Sequence, residues 1–346
     1  MSKPPAPAAE RPAGPIPVPT VYLRLVLDAC GPRDAAARRE LLDGTGLPDP
    51  LLQSWPAAAP QEALDRLLHN TALGRPAGWH LALVPKLDAA VHGALGFAVL
   101  SAPTLAAALD VLLTYGGARL PFLAFALQPA GSRVRLVLAP ARPAAMQQAW
   151  VLEVAVFAVA NLVAQFAARD PRDVAVLLPG APRPYAASMA PVTLAAVACG
   201  RSIFGVEWPR AWQSLGSPLS DAGLHRLSVE RCREQLARTS GRTPLEEAVR
   251  QSVLATGGRP PGLAALAAAR HVAPRSLMRH LREAGTSYQR VVDQVRAELA
   301  VEYLRDTNLP LAAIAERLGF SDTSNFSRAF RSWFDRSPGS CRSRTQ

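Results

Sequence analysis

The stretch LAAIAERLGFSDTSNFSRAFRSW, Leu311 to Trp333, decides the fold of the C-terminal part of the chain. It predicts a short helix with alanines on its packing face, followed by a sharp turn at Gly319. Ser321 and Asp322 are candidate N-caps for a second helix, whose internal apolar anchor is Phe326. Because small side chains let two helices cross closely, the stretch predicts a helix-turn-helix unit, whose second helix can enter the major groove of DNA.

The same pattern occurs once more in LAALAAARHVAPRSLMRHLREAG, Leu263 to Gly285. Pro274 fits the first position of its second helix, and Leu277 is the apolar anchor. Residues 287–307 predict one connecting helix, which at about 1.5 Å per residue spans roughly 31 Å. Successive major grooves on one face of DNA are about 34–36 Å apart. The sequence therefore predicts an all-α C-terminal domain, in which a long helix joins two helix-turn-helix units and could set them in adjacent grooves.

The rest of the chain divides into two parts by composition. Residues 1–19 are rich in Pro and Ala, and we expect a disordered arm without an export signal. Residues 20–239 mix helical patterns with strand patterns, such as the alternation around Arg133 to Leu136, and predict one α/β (mixed α+β) domain. The linker composition of SGRTP, residues 240–244, places the boundary near Thr239, so the helical domain covers residues 240–346.

The charge of the chain is unevenly distributed. The 346 residues carry a formal net charge of +11, and 36 of the 38 basic residues are arginine. Residues 242–346 hold 16 arginines and 10 acidic residues, a net charge of +6 in 105 residues, whereas the first 241 residues carry only +5. The helical domain is therefore where we expect an anionic partner, double-stranded DNA.

Residues 242–342 resemble the DNA-binding domain of the AraC/XylS family of bacterial transcription regulators. The resemblance is carried by the motifs PRSLMRHLREAGTSYQ, LAVEYLRDTNLPLAAIAERLGFSDTSNFSRAFRSWF and SPGSCR. Two positions depart from the pattern, since His271 stands where a turn glycine is common and Cys341 where the family usually has an aromatic residue. The resemblance implies a cytoplasmic regulator of transcription, with RNA polymerase as a partner if it is an activator.

The first domain resembles the N-terminal effector domain of a subgroup of these regulators named for arabinose binding. The motifs are GALGFAVLSAPTLAAALDVLLTY, Gly93 to Tyr115, and SPLSDAG, Ser217 to Gly223. This resemblance implies a small-molecule effector of unspecified identity and a homodimer. Two alternatives stay open: a domain that only oligomerises or binds a partner protein, and an enzyme domain fused to a DNA-binding module.

The pattern of the second helices separates inward anchors from side chains that face DNA. Arginine can bind guanine through two hydrogen bonds, whereas phosphate contacts position a protein without specifying sequence. The expected base-contacting residues are Arg275, Ser276, Met278 and Arg279 in the first unit and Thr323, Ser324, Asn325 and Arg328 in the second. The expected phosphate-contacting residues are Thr286, Ser287, Ser321 and Arg331. The alternative is that these arginines are solvated charges or phosphate clamps, or that Arg328 pairs locally.

No pattern predicts catalytic residues, a metal or a cofactor. The four cysteines form no CxxC pair, the six histidines form no HxH or HExxH, and neither a phosphate-binding GxxxxGK[ST] nor a GxSxG motif occurs. Residues 150–168 are apolar, but Glu153, Asn161 and Gln165 would be costly in lipid, so we expect a buried helix and no membrane.

The effector pocket is expected to draw on four residues, Phe97, Arg119, Trp150 and Glu153. Glu153 is the unusual member, because it is a carboxylate within an apolar helix. It is expected either to face a ligand cavity or to reach a solvated edge of the domain.

Overall fold

The computed structural model describes residues 17–30, 34–50, 53–141, 149–240, 242–270 and 272–342. The first elements are β1 (Pro17–Pro19), α1 (Thr20–Cys30), α2 (Ala35–Leu42), β2 (Ala58–Pro60) and α3 (Gln61–Ala72). Strands β1 and β2 pair antiparallel. Residues 17–19 were expected in the disordered arm, and this was wrong: they form a strand because the Val18 side chain is fully buried in the core. The remainder of the expected arm lies outside the described residues.

A five-stranded sheet crosses the N-terminal region. Its strands are β3 (Leu123–Ala130), β4 (Arg133–Pro140), β5 (Ala175–Pro179), β6 (Ala196–Arg201) and β7 (Phe204–Pro209). They lie in the order β3-β4-β7-β5-β6, with antiparallel neighbours except for the parallel pair β5 and β6. The alternation around Arg133 to Leu136 falls in β4, where Val134 and Leu136 are buried and the two arginines are partly exposed.

Four further helices belong to this region: α4 (Ala94–Leu100), α5 (Leu105–Arg119), α6 (Ala149–Ala167) and α7 (Ala222–Ser240). Helices α5 and α6 pack on the sheet, and α4 and α7 pack on α5 and on each other. Short 3-10 segments lie at Trp79–Lys86, Ala90–His92, Pro171–Asp173, Ala186–Ser188 and Arg210–Ser214. Within the described part of the chain, α6 alone is long and apolar enough to cross a membrane by length and composition. Its side chains Val156, Phe157 and Ala160 are fully buried in the core of the domain. The helix is thus accounted for as a core helix.

The region after Ser240 is helical throughout its described residues. Its helices are α8 (Pro244–Ala255), α9 (Leu263–Ala269), α10 (Pro274–Glu283), α11 (Tyr288–Asp306), α12 (Leu311–Arg317), α13 (Thr323–Phe334) and α14 (Pro338–Arg342). Helix α8 begins with a capping box, in which Thr243 and Glu246 satisfy each other's backbone N–H groups. The connecting helix predicted over residues 287–307 is α11, with Ser287 as its N-cap. The predicted fold class, a mixed α/β region followed by two helix-turn-helix units, is confirmed.

Each helix-turn-helix unit has its own apolar core. In the first, Leu277 and Leu281 of α10 pack with Ala267 of α9. In the second, Phe326 and Phe330 of α13 are fully buried together with residues of α11 and α12. The first core includes Val291 near the start of α11, and the second includes α11 side chains from Val292 to Leu304, so both units pack on α11.

The two regions meet along β3 and α5. Helix α8 packs against α5, β3 and β4, and α9 also contacts β3. Ala124 and Ala126 of β3 belong to the same buried apolar cluster as Val253 of α8. The approach is so close that a Cβ at Gly117 of α5 would lie 1.9 Å from Gln251 Nε2 of α8. The five-stranded sheet and the helices after Ser240 are therefore in direct contact.

Candidate DNA interface and effector cavity

Helix α10 presents a row of arginines opposite its buried leucines. Arg275, Arg279 and Arg282 are exposed and recur at positions i, i+4 and i+7, which places them on one face of the helix. Pro274 occupies the first turn of the helix, as predicted. Ser276 and Met278, the other expected base-contacting residues of this unit, are half-buried beside this face.

Arg279 has one ionic neighbour in the structure. Its Nε lies 3.7 Å from Glu283 Oε1, and both side chains are about two-thirds exposed, at 67% and 64%. An exposed pair of this kind contributes little to stability. The guanidinium is therefore available to a nucleic acid at small cost.

Helix α13 begins with a local polar network. Asp322, one of the two candidate caps, is the N-cap and accepts a 2.7 Å hydrogen bond from the Asn325 backbone N–H. This backbone hydrogen bond holds the pKa of Asp322 below its usual value. The Asn325 amide donates to Ser321 Oγ and Asp322 Oδ2, and Arg328 donates to Asn325 Oδ1. Arg328 thus has a local partner, as the alternative expected, but this partner is the Asn325 amide and not an acidic side chain. To contact a base, Arg328 must give up this hydrogen bond.

The other expected contact residues of the two units lie at exposed or half-buried positions. Thr323 is half-buried, and Ser324, Ser321 and Arg331 are exposed. Thr286 is half-buried and precedes α11, while Ser287 Oγ accepts from the Arg290 backbone N–H. All of them remain predictions as DNA contacts, because no nucleic acid is present.

The turn of the second unit depends on arginines that the sequence patterns did not single out. Arg296 of α11 donates to the backbone oxygens of Gly258 and Gly319 and stacks 4.5 Å from the centroid of the Phe320 ring. Arg259 donates to the Glu316 backbone oxygen. The patterns missed both because their partners are backbone atoms of distant segments.

The two departures from the family motif differ in outcome. His271 lies outside the described residues, so its effect on the first turn stays a prediction. Cys341 is partly buried and packs against the core of the second unit, in the C-terminal packing where the sequence placed it.

An apolar cavity of about 170 Å³ lies inside the N-terminal region. It is bordered by α1, α3, α4, α5, α6, β3 and β4 and is partly open to the outside, and Leu112, Phe125 and Val154 are typical of its lining. Trp150, one of the four expected pocket residues, also lines it. Among the described lining residues there is no carboxylate, and the polar side chains are Tyr22, His92 and Trp150.

The polar end of this cavity is formed by Tyr22 and His92, with Arg119 beside them. The Tyr22 hydroxyl lies 2.9 Å from His92 Nδ1. Burial, together with the charge of Arg119, lowers the pKa of His92 to about 4, so its ring is neutral at pH 7. Burial likewise raises the pKa of Tyr22 to about 12, although Arg119 opposes this shift. The hydroxyl can therefore donate to Nδ1 of the neutral ring.

Arg119, the second expected pocket residue, lies behind Tyr22. Its guanidinium is 5.4 Å from the centroid of the Tyr22 ring and donates a 2.7 Å hydrogen bond to the Val91 backbone oxygen. Its Nε is buried and has no hydrogen-bond partner among the described residues. Tyr22 and His92 were not predicted, since nothing in the local sequence distinguishes them from core residues.

Three of the four expected pocket residues do not line the cavity: Arg119, which lies behind Tyr22, Phe97 and Glu153. Phe97 is 43% exposed and lies on the outer side of α4, whereas Leu95 and Val99 of the same helix face inward. Glu153 lies beside the cavity-lining face of α6 and points into a separate polar network. As effector-binding residues all four stay predictions.

Glu153 neither faces the cavity nor reaches a solvated edge. It is buried and accepts hydrogen bonds from Arg183 Nε and the Tyr185 hydroxyl, both at 2.6 Å, and lies 3.1 Å from His80 Nε2. Burial alone would raise the pKa of this carboxyl, but the three partners outweigh it and keep the pKa below its usual value. The residue is an ionised, fully paired carboxylate with a structural role.

Metal-binding geometry does not occur in the described part of the chain, where no three His, Cys, Asp or Glu side chains come together. Cys199, Cys232 and Cys341 are free thiols.

The region after Ser240 is basic and contains two helix-turn-helix units, and it is joined to an α/β domain with an apolar cavity. This combination defines the class of a DNA-binding regulator with a ligand-binding domain. Residues 36–219 match the family described as "Arabinose-binding domain of AraC transcription regulator, N-term", and residues 266–344 match "Helix-turn-helix domain". The chain belongs to the AraC family of transcription regulators.

The chain is similar to individual proteins as well. The Ornithine utilization regulator of Pseudomonas aeruginosa is 31% identical over 341 residues, which cover 94% of this chain and 96% of that protein. The Transcriptional activator NphR of a Rhodococcus species is 40% identical over 77 residues, 22% of this chain and 23% of that protein. The crystal structure of the transcriptional regulator CdpR from P. aeruginosa aligns over 93% of this chain and 98% of that chain, at 20% identity and a TM-score of 0.46. The relatives are regulators of transcription.

Proposed function

We propose that this regulator contacts two adjacent major grooves of one DNA duplex with α10 and α13, under the control of a small effector bound in the apolar cavity. The observation that best supports DNA contact is that α10 and α13 both belong to units packed on a single connecting helix, α11. The 19 residues of α11 extend about 28 Å, close to the distance between successive grooves. The arginine row of α10 and the exposed first turn of α13 supply the contacts.

The test of groove contact is selection of binding sites from a random duplex library by the full chain, followed by hydroxyl-radical footprinting. We expect a site of roughly 17–20 bp per protomer with two protected patches about 10–10.5 bp apart. Affinity should fall steeply with salt, because arginine–phosphate contacts release counterions. A single protected patch would contradict the use of both helices, and binding no better than to a scrambled duplex would contradict specific recognition.

The proposal that a small effector binds this chain is supported by the apolar cavity. An apolar lining with a few polar side chains is the usual form of a small-ligand site, and a ligand bound there would stabilise the native state by mass action. Thermal-shift screening of the full chain against small molecules of differing polarity tests it. A complete screen without any shift would favour the alternative in which the N-terminal domain only oligomerises or binds a partner protein.

The name of the P. aeruginosa relative connects that protein with ornithine utilization, but the cavity here argues for another effector. Ornithine carries two ammonium groups and a carboxylate at pH 7. Two ammonium groups need acidic partners when they are buried, and the described lining contains no carboxylate. A homodimer, contact with RNA polymerase and a cytoplasmic location belong to the same proposal, and sedimentation with and without DNA tests the dimer.

Control of DNA binding by the effector requires a physical route between the two regions. Helix α5 offers one, because Leu112 lines the cavity while Asp110 and Thr114 bind Arg270 at the end of α9. A ligand that favours one arrangement of α5 would favour one arrangement of the first helix-turn-helix unit.

A further inference from the structure

The size and lining of the cavity restrict the body of its ligand. Twenty-two of the 25 lining residues are Leu, Val, Phe, Ala or Gly, and the volume is about 170 Å³. A dry apolar cavity of about 150 Å³ is known to hold a molecule the size of benzene. A hydrocarbon body of roughly six to eight carbon atoms would therefore fill this cavity.

The same lining excludes polyols. A sugar of similar volume would bring several hydroxyl groups into a space whose polar side chains are Tyr22, His92 and Trp150. Each hydroxyl left without a partner would lose its hydrogen bonds to water without replacement, which weakens binding. One polar group on the ligand, placed at the Tyr22–His92 end, is what this lining can satisfy.

Arg119 determines the charge of that polar group. Its Nε is buried and lacks a partner among the described residues, next to a hydroxyl and a neutral imidazole that line the cavity. Arginine N–H groups match carboxylate oxygens in geometry and charge. Arg119 does not itself line the cavity, so an anionic group at the Tyr22–His92 end would compensate the charge of the guanidinium from the cavity side of Tyr22.

We propose that the effector is a small hydrophobic monocarboxylic acid, whose hydrocarbon part fills the cavity and whose carboxylate lies at the Tyr22–His92 end, next to the charge of Arg119. This inference depends on the proposed function, since it specifies the ligand of the same cavity. For the carboxylate to be held, Tyr22 turns its hydroxyl hydrogen from His92 Nδ1 to the ligand, and His92 in its other tautomer donates the Nδ1–H to the Tyr22 oxygen. Both groups remain neutral, and the only charge pair formed is with Arg119.

Matched acids and alcohols test the carboxylate. Binding of cyclohexanecarboxylate and hexanoate to the full chain is compared by calorimetry with binding of cyclohexylmethanol and 1-hexanol, which have the same hydrocarbon parts. We expect each acid to bind at least about tenfold more tightly than its alcohol, because the charge-assisted hydrogen bonds are available to the acid alone. Arg119→Gln should remove this preference while leaving alcohol binding within about twofold.

Two variants serve as controls. Arg24→Gln removes an arginine that stacks 5.5 Å from the Trp55 ring on the exposed side of α1, so it should leave acid binding unchanged. Ala158→Phe places a ring into the cavity and should abolish binding of both acid and alcohol. Binding of the selected DNA site by each variant shows that it is folded.

The outcomes separate the two proposals. Equal binding of acid and alcohol, or acid binding that is insensitive to Arg119→Gln, would overturn the carboxylate assignment and leave effector binding in place. If no acid and no alcohol bound to a chain that still binds DNA, the assignments of the hydrocarbon part and of the carboxylate of the effector would both be overturned. If a broader thermal-shift screen also gave no shift, the proposal that the cavity binds a small effector would be contradicted as well.

Discussion

Arg279 is the side chain for which the structure makes the sharpest prediction at the DNA interface. It projects from the exposed face of α10, and its pairing with Glu283 is long and solvated. We expect Arg279→Ala to weaken binding of the selected site by about 10- to 100-fold and to relax preference at one base pair, as loss of a guanine contact would. A duplex binding assay against single-base variants of the site measures both effects.

The matched control for this prediction is Arg231→Ala. Arg231 is an exposed arginine of α7 that also has an intrahelical acidic partner, Glu234 at 2.9 Å. Its removal lowers the net charge equally but should change affinity little. Uniform weakening across all sequences by Arg279→Ala would instead assign this residue to phosphate contact.

His92 should make stability depend on pH. Its ordinary pKa is 6.5 and its pKa in the folded chain is about 4, so between these values the unfolded chain binds more protons. The free energy of unfolding therefore falls as pH drops from about 6.5 to 4, by up to about 3 kcal/mol from this group. His92→Gln keeps a side chain able to bond Tyr22 but cannot titrate, so it should remove this loss.

The measurement is urea unfolding of wild type and His92→Gln at pH 4, 5, 6 and 7. Burial raises the pKa of Asp65 to about 6, which acts in the opposite direction over much of the same range. Because Asp65 titrates in both proteins, the difference between them isolates His92. A difference that stays constant with pH would contradict the assignment.

The turn at Gly319, between α12 and α13, is closely surrounded by its neighbours. Gly319 has φ +75°, and an added Cβ would lie 3.0 Å from Arg259 Cγ and 3.2 Å from its Cα. Gly285 has nearly the same φ, +74°, but nothing lies within 4 Å of its Cβ position. Gly285→Ala should therefore cost only the left-handed backbone penalty, about 1–2 kcal/mol, and Gly319→Ala should cost more.

Hydrogen exchange of the full chain measures this difference element by element. Gly319→Ala should accelerate exchange in α12 and α13, while Gly285→Ala should affect α10 less strongly. Equal acceleration in the two units would show that the contact with Arg259 is unimportant.

The elements that sequence predicted well are those whose pattern is local. The helix expected over residues 287–307 corresponds to α11 because it carries a continuous apolar face, and the anchors Leu277 and Phe326 followed from helix periodicity. The pocket was predicted less well, because its composition depends on contacts between segments far apart in the chain. The partners of Glu153 lie 30, 32 and 73 residues away, at Arg183, Tyr185 and His80, and no local pattern identifies them.

In the molecule as a whole, Arg270 connects the first DNA-binding unit to the cavity wall. It lies at the end of α9, 3.0 Å from Asp110 Oδ1 and 3.2 Å from Thr114 Oγ1 of α5. Since Asp110 is about half exposed, the pair contributes at most about 1 kcal/mol. We expect Arg270→Ala to reduce the factor by which a saturating cavity ligand changes DNA affinity, by about two- to fivefold.

DNA affinity measured with and without cyclohexanecarboxylate gives this factor. Asp110→Asn should have a similar effect, because it removes the same ion pair, whereas Arg231→Ala should have none. An unchanged factor in Arg270→Ala would place the coupling elsewhere along the shared surface.

Strand β3 alone separates this side of the cavity from the DNA-binding helices, because its alternate side chains face the two. Leu123 and Phe125 line the cavity on one side, while Ala124 and Ala126 pack among the helices on the other. Because side chains alternate along a strand, one inserted or deleted residue exchanges the two faces. Such a change would drive Leu and Phe into α8 and leave alanines to face an enlarged cavity. The length of β3 should therefore be unalterable in any engineered sensor built on this chain, whereas changes of cavity specificity can be made by substitution from the α6 side.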